Sequence, residues 1–444
     1  MKKLLSMLGT ITLIGTVSTN IIACGKGDEP SPTPIPPVQA EFQKVSGWKE
    51  DNGKVYSLVN VNGTVYAATR TADGKGKLFK ISSAGVVSEV GGWTDSNGVI
   101  FSLAIDKDDN FYVGTRTADG QGKLFKSKTD GTFELVSGWK EDNGEVYRLV
   151  NVNGTVYAGT WTADRKGKLF KSKTDGTFEL VSGWKENNGE IYSLVNVNGT
   201  VYAGTWTADG KGKLFKSKTD GTFELVSGWK ENNGEIYSLV NVNGTVYAGT
   251  LTAAGQGKLF KSKTDGTFEL VSGWKDTNGE IASLVNVNGT VYAGTRTAAG
   301  QGKLFKSKTD GTFELVSGWK DTNGSVLSLV NVNGTVYAGT WTADGQGKLF
   351  KSKTDGTFEL VSGWKEDNGD VYRLVNVNGT VYAGTWTADR KGKLFKSKTD
   401  GTFELVSGWK ENNGEIYSLV NVNGTVYAGT WTADGKGNLY KKSK

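Results

Sequence analysis

Apolar and polar positions along this chain change their rhythm four times within each stretch of about 45 residues, and the same sequence of changes recurs nine times. One copy, residues 189–229, shows the pattern. Residues 191–197 form a short β-branched run, and Asn198-Gly199 follows it. This dipeptide is the commonest centre of a two-residue type I′ hairpin, because both central residues need positive φ. Residues 200–205 alternate apolar and polar, as a half-buried second strand does. A polar, glycine-containing loop is expected over 206–212, a third strand over 213–217, a tight turn at Asp220-Gly221 and a fourth strand over 222–226. The remainder leads into the next copy.

Four short antiparallel strands in a unit of this length describe a propeller blade. A β-solenoid is the competing architecture, but it uses shorter rungs. A Gly-Trp pair marks each copy, at Trp48, Trp93, Trp139, Trp184, Trp229, Trp274, Trp319, Trp364 and Trp409. The last copy stops after its third strand, whereas residues 41–45 supply an unmatched fourth. The fold expected is therefore all-β: a single nine-bladed β-propeller of four-stranded antiparallel blades over residues 41–444, closed by an N-terminal strand that completes the last blade. Closure of this kind removes free sheet edges, which otherwise invite aggregation.

The hairpin segment Ser-Lys-Thr-Asp-Gly-Thr-Phe, residues 217–223 in this copy, resembles a shortened Asp-box of sialidase-type propellers. In that family the motif is a structural turn between the third and fourth strands. The resemblance thus supports the strand order and transfers no catalytic residue.

Composition separates the array from what precedes it. Both methionines, all five prolines and the single cysteine lie before Val38, and the chain has no histidine. Thiol chemistry and histidine-based metal or acid–base sites are excluded from the array by inventory. Residues 1–23 read as an export signal, with Lys2 and Lys3 ahead of an apolar stretch. Ile21-Ile22-Ala23-Cys24 resembles the lipobox of bacterial lipoproteins, and the leader is similar to those of mollicute surface lipoproteins. That resemblance implies a diacylglycerol on the Cys24 thiol, cleavage before it, and a location on the extracellular face of the cell membrane. Residues 24–40, with Pro30, Pro32, Pro34, Pro36 and Pro37, read as a lipidated, extended tether. The full chain carries 52 basic and 46 acidic groups, and loss of Lys2 and Lys3 would lower its net charge from +6 to +4. This balance does not suit a dedicated nucleic-acid binder.

From the third copy onward, copy-to-copy differences fall in two windows, whereas an earlier stretch also diverges at residues 81–90 and 104–110 through ordinary strand and turn substitutions. One opens the innermost strand, at Tyr147, Tyr192, Tyr237, Ala282, Leu327, Tyr372 and Tyr417, each followed by Ser or, at two places, by Arg148 or Arg373. The other holds Arg70, Arg116, Trp161, Trp206, Leu251, Arg296, Trp341, Trp386 and Trp431. In a four-stranded blade both windows, and all 14 tryptophans, open on one face. The invariant Gly-Trp residues suit a ring that seals the groove between blades. A position that exchanges Trp, Arg and Leu suits surface contact instead. The ligand-binding candidates are therefore Arg70, Arg116, Trp161, Trp206, Arg296, Trp341, Trp386 and Trp431, since Trp and Arg dominate binding hot spots and indoles stack on sugar rings. This arrangement resembles propeller lectins in design, with one aromatic per blade.

The expected function is a surface-anchored, multivalent binding protein, lectin-like or an adhesin, monomeric, with a host glycan or a host surface or matrix protein as partner. The alternative is an antigenically variable coat lipoprotein without a specific ligand. Acidic loops such as Asp276-Thr277-Asn278-Gly279-Glu280 hint at calcium but read better as turns. The Asn198-Gly199-Thr200 glycosylation sequon is accounted for by the hairpin. No cofactor or catalytic site is expected, because no phosphate-binding loop follows a strand and no paired carboxylates stand out.

Overall fold

The computed structural model describes residues 41–442 apart from positions 118, 163, 253–255, 298 and 388. The lipobox and tether lie outside the described residues. Among the described residues the chain forms nine four-stranded antiparallel sheets, each built from consecutive strands except the last. In blade 4 the strands are Glu190–Val197, Thr200–Trp206, Leu214–Ser217 and Phe223–Leu225, from the axis outward. Asn198 and Gly199 take φ values of 51° and 88°, as the type I′ turn requires. Blade 2 replaces that turn with a longer one containing Asp109 at φ 59°, between Val99–Ile105 and Phe111–Arg116. This accounts for the 46-residue step from Trp93 to Trp139, where the other Gly-Trp steps are 45 residues.

Blade 9 takes Glu415–Val422, Thr425–Trp431 and Leu439–Lys442 from the C-terminal end and Phe42–Lys44 from the N-terminal end. Phe42 pairs with Lys442 and Lys44 with Tyr440. The ring is thus closed through the ninth blade by the segment identified from the repeat.

The core lies between blades. At the junction of blades 4 and 5, Val197, Tyr202, Leu214 and Val226 pack on Ile236, Val246, Ala248 and Phe260. Close approach depends on Gly204, where an added methyl carbon would stand 2.4 Å from Ile236 Cγ2. The outermost strands are three residues long with a central Glu in blades 2 to 8, which blunts their free edges. The Asp-Gly turns hold themselves together: Asp220 Oδ1 accepts from the Thr222 amide at 2.9 Å and its hydroxyl at 2.6 Å. These turns lie between the third and fourth strands. Each inter-blade connection carries one turn of 3-10 helix, including Asp276–Asn278, the segment with a calcium-like composition. No helix among the described residues is long and apolar enough to cross a membrane.

Candidate functional site on the tryptophan face

The two tryptophan sets have different surroundings. Every Gly-Trp residue is buried. Trp184 donates its indole N–H to the Gly167 carbonyl of blade 3 at 2.8 Å and packs on Phe215 and Phe223 of blade 4. The same bond recurs around the ring, down to Trp48 and Gly437 at the closure. These residues tie each blade to the next, as their invariance suggested.

The variable set ends the second strands and does not lie in the loops. Trp161, Trp206, Arg296, Trp341, Trp386 and Trp431 are the last strand residues of their blades, as are Arg70 and Arg116. Arg70 is exposed and the others are half-buried. The expected loop beginning at Trp206 therefore starts one residue later. The cause is a cross-strand partner: Trp206 stands opposite Glu190, Trp161 opposite Glu145, Trp386 opposite Asp370 and Trp431 opposite Glu415.

Those acids are the feature that sequence reasoning missed. The first residue of the innermost strand is buried in all nine blades, and in six of them it is acidic: Glu145, Glu190, Glu235, Glu280, Asp370 and Glu415. These carboxyls recur one per blade around the ring and, among the described residues, do not form a pair at one special location. Burial pushes the pKa of Glu190 up to about 8, and those of Glu145, Glu235, Asp370 and Glu415 to about 7. The neighbouring acids Glu145 and Glu235 add to the rise at Glu190, and the Arg165 guanidinium opposes it. Both carboxyl oxygens of Glu190 lack a hydrogen-bond partner, and so do both of Glu415. The signal was present in the sequence as the Gly-Glu or Gly-Asp step that opens six of the nine innermost strands, but the burial of the acid depends on the neighbouring blade.

Next along each innermost strand comes a β-bulge. The pairing register shifts between Ile191 and Ser193, so Tyr192 is the extra residue. Bulges re-aim side chains, and here they line the inner rim with rings. Tyr417, Tyr56, Phe101, Tyr147, Tyr192 and Tyr237 succeed one another with centroids 5.2–5.9 Å apart. Ala282 and Leu327 occupy this position in blades 6 and 7. The variable tryptophans extend the rim outward: Trp161 lies 5.3 Å from Tyr147, Trp206 5.5 Å from Tyr192, Trp386 4.6 Å from Tyr372 and Trp431 6.2 Å from Tyr417. Trp161 and Trp206 also touch across blades, at 6.4 Å.

Cations complete the arrangement. Arg116 pairs with Glu145 of the next blade at 3.0 Å, and Arg296 pairs with Glu280. Arg165 and Arg390 lie over Trp206 and Trp431, at 4.8 and 4.2 Å. Lys54 Nζ stands 3.5 Å from the Tyr417 centroid and 3.8 Å from that of Trp431. Arg148 and Arg373, beside the bulges, donate to the Tyr192 and Tyr417 carbonyls of the following blades. The face thus combines aromatic rings, buried carboxyls and interspersed cations. Among the described residues no group of three carboxylates converges as a metal site would require.

No protein-family model and no curated protein sequence matches the chain. Among solved structures it is similar to the Dos1 propeller, with a TM-score of 0.53 at 14% identity, covering 79% of this chain and 94% of that one. It is similar to Sqt1 of Saccharomyces cerevisiae, with a TM-score of 0.51 at 13% identity, covering 83% of this chain and 99% of the other. Sqt1 of Chaetomium thermophilum gives 0.52 at 14% identity, with 78% and 97% covered. At such low identity the likeness extends to the propeller fold and no further.

Proposed function

We propose that this chain is a multivalent binding protein, lectin-like or an adhesin, whose ligands dock on the tryptophan face. One observation carries the reading: the scaffold repeats nearly unchanged, whereas the residues that differ between blades gather with the aromatic rim on that face. Repetition would let weak sites act together, and simultaneous engagement raises apparent affinity by about 10²–10⁴-fold without new contacts. Lipidation at Cys24 and the tether of residues 24–40 would anchor the chain to the cell membrane, where a host glycan or a host surface or matrix protein is the partner. The test is a panel of glycans and matrix proteins read by tryptophan fluorescence, with Trp206→Ala alongside. Quenching that weakens in the variant supports the reading. It fails if nothing binds and the variant attaches to host cells as well as the parent does.

A second reading has its own support. Blades 3 and 4 nearly repeat as blades 8 and 9, the mark of block duplication. An antigenically variable coat without a specific ligand would show blade numbers that differ between isolates and a face that binds nothing on the panel.

A further inference from the structure

Two junctions in this ring are near copies with opposite charge. Where blade 9 meets blade 1, Tyr417, Trp431 and Glu415 face Lys54, and Arg390 and Arg70 lie close enough to lower the Lys54 pKa. Where blade 4 meets blade 5, the corresponding residues are Tyr192, Trp206 and Glu190, with Arg165 in place of Arg390. Two substitutions separate the sites. Glu235 stands where Lys54 stands, and Leu251 where Arg70 stands. Arg373 and Arg148 are matched at the two junctions, each bonded to the Tyr417 or Tyr192 carbonyl. Beyond them the first junction sets Lys54, Arg390 and Arg70 around Glu415, whereas the second sets Arg165 against Glu190 and Glu235, with Glu145 and Asp164 also acting on Glu190.

The second junction is also incompletely bonded. Glu190 is 1% exposed, yet neither carboxyl oxygen has a hydrogen-bond partner. The buried Trp206 indole N–H faces the Glu235 carboxyl, where it offsets part of the effect of burial, without closing a hydrogen bond of normal geometry. An ammonium supplies the donors that the Glu190 carboxyl lacks and a counter-charge for Glu235, since it donates three hydrogen bonds and is attracted to the faces of Tyr and Trp rings. Lys54 shows within the same chain that an amine on a thin methylene stem, only 8% exposed, can lie against the equivalent rings; its pKa there falls to about 7 by burial, with one carboxyl, Glu415, opposing the fall.

We propose that the junction of blades 4 and 5 binds a primary alkylammonium group, between the rings of Tyr192 and Trp206 and the carboxyls of Glu190 and Glu235. The inference rests on the reading of this face as a binding surface and gives it a ligand chemistry. Other junctions are already supplied. Arg116 reaches Glu145, Arg296 reaches Glu280, and Asp370 accepts from the Thr342 amide at 3.1 Å. Burial raises the pKa of Glu190 to about 8 and that of Glu235 to about 7, so an ammonium that favours their ionised form would displace protons on binding below those values. Affinity would then increase with pH through the range in which they ionise.

The experiment titrates the mature chain with Nα-acetyl-lysine methylamide, its norleucine counterpart and glucosamine, following tryptophan fluorescence and heat. One saturable site for the lysine compound or for glucosamine, absent for norleucine and at least about fivefold weaker at pH 5.5 than at pH 8, is the expected result. The two amines distinguish a peptide source from an amino-sugar source. Glu235→Lys should abolish binding, as it installs the arrangement that the chain already folds with at Lys54. Glu190→Gln provides a second variant with smaller steric change. The proposal is overturned if norleucine binds as well as lysine, if neither amine binds, or if a folded Glu235→Lys variant binds unchanged. A negative glycan and matrix panel with amine binding intact would remove the lectin or adhesin reading and leave this site standing.

Discussion

At the scale of single residues, the two tryptophan sets differ in what their removal should cost. Trp184 fills the groove between blades 3 and 4 and satisfies the Gly167 carbonyl, so Trp184→Ala removes packing and leaves a buried acceptor unpaired. A loss of about 3–5 kcal/mol is expected for a buried aromatic of this kind. Trp206 is half-buried and its indole N–H is unpaired, so Trp206→Ala should cost less than about 2 kcal/mol. Denaturant unfolding of the two variants side by side checks this, and equal losses would mean that the variable set is structural too. Gly204 gives a third case. Its missing Cβ is what lets Ile236 of the next blade come close, so Gly204→Ala should destabilise by about 1–3 kcal/mol through overpacking. Blade 1 carries Ala68 at this point of its strand and still folds, which places the cost in the fit to the neighbour and not in the strand itself.

At the scale of the element, each innermost strand opens with a buried residue and then bulges, and this produces a pH dependence opposite to that of ion-paired carboxylates. The folded pKa of Glu190 stands at about 8, above its ordinary 4.5. Below 4.5 both folded and unfolded chains hold the proton. Between 4.5 and about 8 the unfolded chain releases it and the folded chain does not, so stability falls as pH rises through that window and levels off above it. Glu190→Gln should therefore gain on the order of 1 kcal/mol relative to the parent at pH 8 and little at pH 5, read as melting temperature against pH. An unchanged slope would show that the carboxyl is solvated in solution. Lys54 acts in a different window: burial lowers its pKa from 10.5 to about 7, so its contribution to stability rises between those values. The same elements show what could be read in advance. Asn198-Gly199 and Asp220-Gly221 announce their turns because a turn is a local matter of φ and side-chain bonding. The bulge at Tyr192 and the burial of Glu190 were not legible, since both follow from pairing register and from the adjacent blade. Arg70, Trp206 and the other variable positions were found through their exchange of residue types. Their carboxyl partners were passed over because Glu after Gly looks like an ordinary strand start.

At the scale of the molecule, the ring depends on a contact between the two ends of the described chain. Phe42 is buried against Tyr382 and Trp409, with centroids 6.2 Å from each. The Val45 amide donates to the Leu439 carbonyl at 2.8 Å, and Trp48 repeats the inter-blade bond by donating to the Gly437 carbonyl. The closing strand thus reproduces, from the opposite end of the sequence, the contacts that Phe-Glu-Leu-Val makes in other blades. Three ladder pairs hold it, together with the Val45–Leu439 bond and the Phe42 amide donating to the Ser407 carbonyl, and it covers the third strand of blade 9 and one side of Trp409. Removing residues 41–45 should expose that strand edge and the Tyr440 ring while leaving the other eight blades intact in sequence. The loss of Phe42 packing alone corresponds to about 3 kcal/mol or more, and the bare edge offers a template for pairing between molecules. The shortened chain should melt at lower temperature and associate as concentration rises, whereas a peptide of residues 40–46 added in trans should reverse both effects by occupying the vacant position. Melting curves and sedimentation, with and without the peptide, provide the measurement. If the shortened chain stays monomeric and melts like the parent, the ring is held by the junction of blades 9 and 1, where the Leu58 amide donates to Ser418 Oγ, and the strand only covers it.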